Sequence, residues 1–330
     1  MIFGKQKMIL ICLFSLISFN TTLAEIPECT PQKKEALDTF LNASKNELSL
    51  KIISSELLKS KWHYNKFFNT STLKDSQGND YEFSFYFYKS KAKTYVKKKP
   101  LVFILSGIVG ITLLERYIAN FFTRSGVSVI VSDFKGLHSI DTLEKIKPAI
   151  SIAIKSTLSL VDYGLSRNDI DHNKLAVVGI SLGGFRSLYL MSLEKKIKAA
   201  SLVVTGSSLS EAMAYSSSPI VSYLRHTHMN QANINDVDLY AKAVREQLPF
   251  TPTEFICTRQ RSEFFLFNAK KDITVPYSLQ KKLWKELGYP LNKHTIFGHY
   301  AGALLFGAKE LKNTLSFFNY HWKQSETTDF

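Results

Sequence analysis

From residue 101 onward the chain carries short runs of consecutive apolar positions: 101–105, 127–131 broken only by Ser128, 175–178, 199–204 and 264–267. A strand with one wet face alternates apolar and polar side chains. Continuous runs of this length therefore predict strands covered on both faces. Between them lie stretches of helical length and period, at 111–122, 141–165, 182–193, 277–287 and 302–318. Strand alternating with helix predicts a doubly wound α/β domain, its sheet mostly parallel and its helices on both faces.

Upstream the pattern differs. Residues 32–61 read as an amphipathic helix, with Leu37, Phe40 and Leu41 at helical spacing. Residues 62–88 read as strand, turn and strand. Tyr81, Phe83, Phe85 and Phe87 alternate with Glu82, Ser84, Tyr86 and Tyr88, after a turn-rich stretch at 76–80. That strict period of two assigns the aromatic row to a half-buried strand rather than to a platform for sugars or bases. Six lysines between 89 and 99, with only Tyr95 among them, read as a solvated connection. The expected organisation is an N-terminal helix and β-hairpin over 25–99, leading into a core over 100–330. Within that core, the 56 residues 207–262 separate two successive strands, more than a crossover helix needs. They predict a largely helical cap insertion over one end of the sheet. Met213, Tyr215, Ile220, Tyr223, Leu224 and Phe250 are its candidates to line a cleft.

Residues 1–24 have the layout of a secretory signal peptide. Lys5 and Lys7 precede an uncharged run from Met8 to Phe19, and Thr22-Leu23-Ala24 offers small residues for cleavage. The rival reading is an uncleaved anchor, but twelve residues fall short of the ~20 that a spanning helix needs. The expectation is export, to a periplasm or the medium. Cleavage would leave Cys29 and Cys257. In an exported chain these two can form one disulfide, against the alternative of two separate thiols.

Of 330 residues 45% are hydrophobic and 21% charged, which excludes wholesale disorder and leaves ample material for a core. The formal net charge is +14, and +12 without the two lysines of the leader. The basic residues are 34 Lys and only 8 Arg. Specific nucleic-acid readers lean on the planar Arg fork, so no nucleic-acid partner is expected. Scattered lysine gives a diffuse positive field, compatible with weak contact to an anionic envelope surface.

The chemistry lies in Gly179-Ile180-Ser181-Leu182-Gly183, a G-x-S-x-G string between the strand at 175–178 and an apolar helix. Strand, tight turn and helix in that order form a nucleophile elbow. Gly179 and Gly183 leave room where side chains would collide with the neighbouring strand and helix. Ser181 is held strained, with its hydroxyl above the sheet near a helix N-terminus.

On these residues, with Gly184 following, the chain resembles the α/β-hydrolase superfamily over about residues 100–320. It resembles the esterase, lipase and dienelactone-hydrolase-like members in particular. The resemblance implies an α/β-hydrolase fold and the chain order nucleophile, acid, base. Asp272 stands before Val275-Pro276, in the loop after the strand at 264–267, and is the implied acid; Glu211 is the rival. His299, in Gly298-His299-Tyr300 after a strand at 293–297, is the implied base, ahead of His294 and the His226/His228 pair. The oxyanion hole is implied in backbone N–H groups of Leu182 and of Gly107 or Ile108. Here the loop reads Ser106-Gly107-Ile108, without the His-Gly frequent in esterases and lipases. The implied activity is serine hydrolysis of carboxylic esters, on a small-molecule or lipid-like substrate, with no metal or cofactor. A peptidase or amidase on the same fold, and a catalytically silent envelope-binding protein, are the alternatives.

Overall fold

The computed structural model describes residues 29–33, 35, 51–74, 80–91, 98–132, 140–248 and 250–327. The leader expected over 1–24, residues 36–50 of the expected first helix, the turn at 75–79 and lysine-rich 92–97 lie outside them.

Nine strands form one sheet: β1 (Lys51–Ser60), β2 (Tyr64–Lys74), β3 (Asp80–Ser90), β4 (Lys99–Leu105), β5 (Ser128–Ser132), β6 (Ile170–Ile180), β7 (Ile197–Val203), β8 (Phe264–Ala269) and β9 (Leu291–Thr295). Their spatial order is β1-β2-β3-β5-β4-β6-β7-β8-β9. The first three pair antiparallel and lead antiparallel onto β5, while every later pairing is parallel. The apolar runs are the central strands, and Val102–Leu105 and Leu175–Val178 are wholly buried.

Of the helix expected over 32–61, residues 32, 33 and 35 are helical, Leu37, Phe40 and Leu41 lie outside the described residues, and β1 replaces its end from Lys51 on. Its ladder with β2 slips between Ile52 and Ser54 and between Leu57 and Lys59. The apolar doublets Ile52-Ile53 and Leu57-Leu58 sit at those bulges. Each bulge adds one residue and breaks the alternation, so the doublets fall at helix-like spacing. β9 also lies two residues upstream of its expected place, because Ile296 and Phe297 are exposed in the turn that follows.

Helices cover both faces. α1 (Leu113–Arg124), α8 (His299–Lys309) and α9 (Leu311–Thr327) pack on one side, where Phe122, Phe306 and Phe318 join Val102, Ile104 and Phe265 in a core. α2 (Ile146–Leu165), α3 (Leu182–Leu193) and α7 (Tyr277–Glu286) pack on the other, around Leu101, Phe103 and Leu175. The single helix expected over 302–318 is two. Glu310 (φ −104°, ψ −5°) stands between them as the C-cap of α8. The stripe Ala303, Phe306, Leu311 and Phe318 keeps helical spacing across the bend, so the pattern reads through it.

Between β7 and β8 run α4 (Leu209–Tyr215), α5 (Pro219–Gln231) and α6 (Val237–Gln247), then three single-turn 3₁₀ helices. This segment is tied down at several points. The Tyr189 hydroxyl donates to the Phe250 carbonyl (2.6 Å), and Arg259 donates to the Glu194 and Ile197 carbonyls. Cys257 is bonded to Cys29, with Cα atoms 5.0 Å apart.

Candidate active site

β6 ends at Ile180 and α3 begins at Leu182, so Ser181 alone makes the turn. Its backbone sits at φ 55°, ψ −118°, a left-handed conformation that costs a non-glycine residue of order 1–3 kcal/mol. Packing holds it there. Ser181 N donates to Val203 O on β7 (2.9 Å), and Gly184 N closes the first turn on Ser181 O (2.9 Å). A Cβ on Gly183 would lie 1.9 Å from Leu105 O on β4. One on Gly179 would lie 2.2 Å from Ser187 Oγ on α3. No side chain fits at either position while strand and helix stay this close.

The loop after β4 lies against the same serine. A Cβ on Gly107 would be 3.5 Å from Ser181 Cβ and 3.9 Å from its Oγ. Gly110 N donates to Gly107 O (3.1 Å), folding 107–110 into a turn. Leu182 N stands at the N-terminus of α3, where the first amides of a helix have no partner within it and the helix dipole favours negative charge.

Asp272 follows β8 with its side chain wholly buried. Oδ1 accepts from Thr274 N (2.8 Å) and Val275 N (2.9 Å); Oδ2 accepts from Gln280 Nε2 (2.8 Å) and His299 Nδ1 (2.7 Å). Four donors thus fix the carboxylate. His299 is the first residue of α8 rather than a loop residue, and it too is buried. With Nδ1 bonded to the carboxylate, Nε2 is the nitrogen left for a reacting group. The tight approach beside Gly298 is to the acid loop: a Cβ there would lie 3.2 Å from Lys271 O, and Lys271 N donates to Phe297 O.

Gln280 escaped the sequence analysis. It is fully buried on α7, donates to Val275 O (2.8 Å) as well as to Asp272, and accepts from Ala269 N (2.9 Å). The available signal was an amide next to Leu279 and three residues before Leu283, on the apolar face of the helix after the acid loop.

The rivals lie elsewhere. Glu211 pairs with Lys282 (2.8 Å), and His294 and His226 are exposed. His228 is buried, its Nδ1 3.0 Å from the Tyr240 hydroxyl and its Nε2 3.2 Å from Ile140 O; burial pushes its pKa down. Among the described residues no group of three His, Cys, Asp or Glu could hold a metal ion.

Two cavity lobes meet at Ser181, sharing Ile108, Ser181 and Thr274. One, of about 490 Å³ and partly open to solvent, runs between Phe185 and the residues Leu209, Met213, Val221 and Leu224 of α4 and α5. The other, about 660 Å³ and also partly open, contains His299 and is walled by Val109, Leu114, Tyr300, Ala303 and Leu304. Of the six cleft candidates, Met213 and Leu224 line the first lobe. Tyr215, Ile220 and Tyr223 are exposed, and Phe250 packs against Tyr189 and Phe255.

No family model and no curated protein sequence matches the chain. Solved structures do. An acetyl xylan esterase from Paenibacillus sp. R4 superposes with a TM-score of 0.62 at 14% identity, over 86% of this chain and 96% of that one. Acetyl xylan esterase 1 from Thermoanaerobacterium sp. JW/SL YS485 gives 0.55 at 13%, over 88% and 96%. An acylaminoacyl peptidase from Pyrococcus horikoshii gives 0.52 at 13%, over 83% of this chain and 50% of that one. At these identities the likeness is one of fold.

Proposed function

We propose, for a chain that has the α/β-hydrolase fold, that it is a serine hydrolase of carboxylic esters working through Ser181, His299 and Asp272. The observation that carries the reading is the 2.7 Å bond from His299 Nδ1 to a four-donor Asp272 carboxylate, on the wall of the cavity that contains Ser181. His299 Nε2 takes the Ser181 proton as Oγ attacks the ester carbonyl carbon. The oxyanion is held by the N–H of Leu182 and by that of Gly107 or Ile108. Asp272 keeps Nδ1 protonated and supports the imidazolium that forms. The tetrahedral intermediate then breaks its bond to the alcohol oxygen, which leaves with the proton from Nε2. Water attacks the acyl-enzyme through the same histidine, releasing the acid and restoring Ser181.

We also read the chain as exported. The Cys29–Cys257 bond supports this, because disulfides persist in oxidising compartments.

The test is hydrolysis of nitrophenyl esters by the purified protein, with a peptide anilide as control. Ser181→Ala and His299→Ala should each remove nearly all turnover, and the double variant should be scarcely worse than either. Turnover of the anilide alone would assign the site to amides. Ester hydrolysis by Ser181→Ala at the native rate would end the reading.

A further inference from the structure

Resting on that ester-hydrolase reading, we infer the class of ester: an apolar acyl group of about six carbons or more, joined to an apolar alcohol. The two lobes have assignable roles. His299 delivers the proton to the departing oxygen, so the alcohol lies in the lobe that contains His299. The carbonyl oxygen lies at Leu182 N, and the acyl chain then extends across Ser181 into the lobe under α4 and α5.

The acyl lobe is built for hydrocarbon. Phe185, Leu209 and Met213 are buried side chains at its wall, and Val221, Leu224 and Val275 complete it. Its polar residues are Ser181 itself and Thr274, where the two lobes meet. A polar acyl group would lose its hydrogen bonds to water there without replacement. An acetyl group would leave the contacts to α4 and α5 unmade. Each added methylene removed from water contributes about fourfold in kcat/KM, the ~0.8 kcal/mol of a buried CH₂ converted at 1.36 kcal/mol per tenfold.

The alcohol lobe points the same way. Glu115 is its one carboxylate, and Oε2 is held by Thr112 N (2.7 Å) and the Thr112 hydroxyl, the capping box that starts α1. Around it the walls are Val109, Leu114, Ala303 and Leu304, and an apolar surface continues outward through exposed Val109, Leu113, Tyr300 and Leu304. A sugar ring needs several polar side chains in register to replace its water; beyond Ser181 and His299 this lobe has Thr112, Glu115, Thr274 and Tyr300, and Thr112 and Glu115 Oε2 are already bonded to each other. The substrate class therefore differs from the acetyl xylan in the names of two solved structures that share the fold.

The experiment measures kcat/KM of the purified chain on p-nitrophenyl acetate, butyrate, hexanoate and octanoate and on acetylated xylan, alongside labelling by a fluorophosphonate. The expected result is hexanoate above acetate by about 200-fold, four methylenes at about fourfold each, with acetylated xylan the poorest substrate. Val221 and Leu224 are only partly buried on α5, so Val221→Trp and Leu224→Trp fill the acyl lobe from outside the core. Each should lower the hexanoate-to-acetate ratio at least tenfold. Leu304→Trp, in the alcohol lobe, should shift preference among alcohols, 2-naphthyl against ethyl, instead. A protein labelled at Ser181 that prefers acetate or acetylated xylan would overturn the substrate class and leave the hydrolase reading standing. So would an unchanged ratio in both α5 variants. Neither labelling nor turnover on any ester would overturn both.

Discussion

Replacing Gln280 by Leu removes three hydrogen bonds from a fully buried position while keeping roughly its volume. Ala269 N–H and the Val275 carbonyl then lose the partners Gln280 gave them, at about 1–3 kcal/mol each. Stability should fall by about 2–6 kcal/mol. At roughly 2–4 °C per kcal/mol, that is a drop in Tm of about 5–20 °C, read by differential scanning fluorimetry. Asp272 loses one of its four donors, and a bond to a charged group is worth about 1.5 kcal/mol, so kcat should fall about tenfold with KM little changed. Gln280→Glu separates positioning from packing. Protonated, the new carboxyl donates to Asp272 as the amide does; ionised, it sets two buried carboxylates against each other. The Glu variant should therefore lose rate at higher pH relative to the native protein, as the shared proton leaves. Superimposable pH–rate profiles for native protein and Gln280→Glu, or a native kcat in Gln280→Leu, would refute the role given to this residue.

Burial lowers the pKa of His228 in the folded chain, so the unfolded chain binds that proton more readily. The stability tied to its neutral form is fully present above its unfolded value, about 6.5, and is lost as pH falls below it. His228→Asn should therefore flatten the fall in Tm between about pH 7 and pH 5, even though its Tm at neutral pH is lower. His63 and His321 are also lowered by burial and should retain part of that slope. Cys29 and Cys257 lie 228 residues apart in sequence, a loop for which chain entropy gives about 5 kcal/mol. Cys257→Ser should lower Tm without changing kcat/KM, and non-reducing peptide mass spectrometry should find the two cysteines joined.

Much of this was legible from residue types and spacing alone. The five apolar runs became central strands because a strand covered on both faces has no polar position to interrupt it. The turn at Ser181 was legible because Gly179 and Gly183 have no substitute where β4 and α3 close on it. Asp272 and His299, by contrast, are 27 residues apart, and only the resemblance paired them. Hydrophobic pattern carries no information about which polar groups meet. Gln280 was missed for the same reason, since a glutamine on a helix reads as solvent-facing until its partners are known. The strand over 51–60 carries no clean alternation because its bulges shift side-chain phase without changing composition. The break at Glu310 left no mark because the apolar stripe runs through it.

The central claim is that Ser181 is a nucleophile activated by His299. Intact-protein mass spectrometry after treatment with a fluorophosphonate tests it most directly, followed by peptide mapping of the adduct. One adduct per chain is expected, located on Ser181, absent from Ser181→Ala and formed far more slowly in His299→Ala. An unmodified native protein, or an adduct that persists in Ser181→Ala, would contradict it.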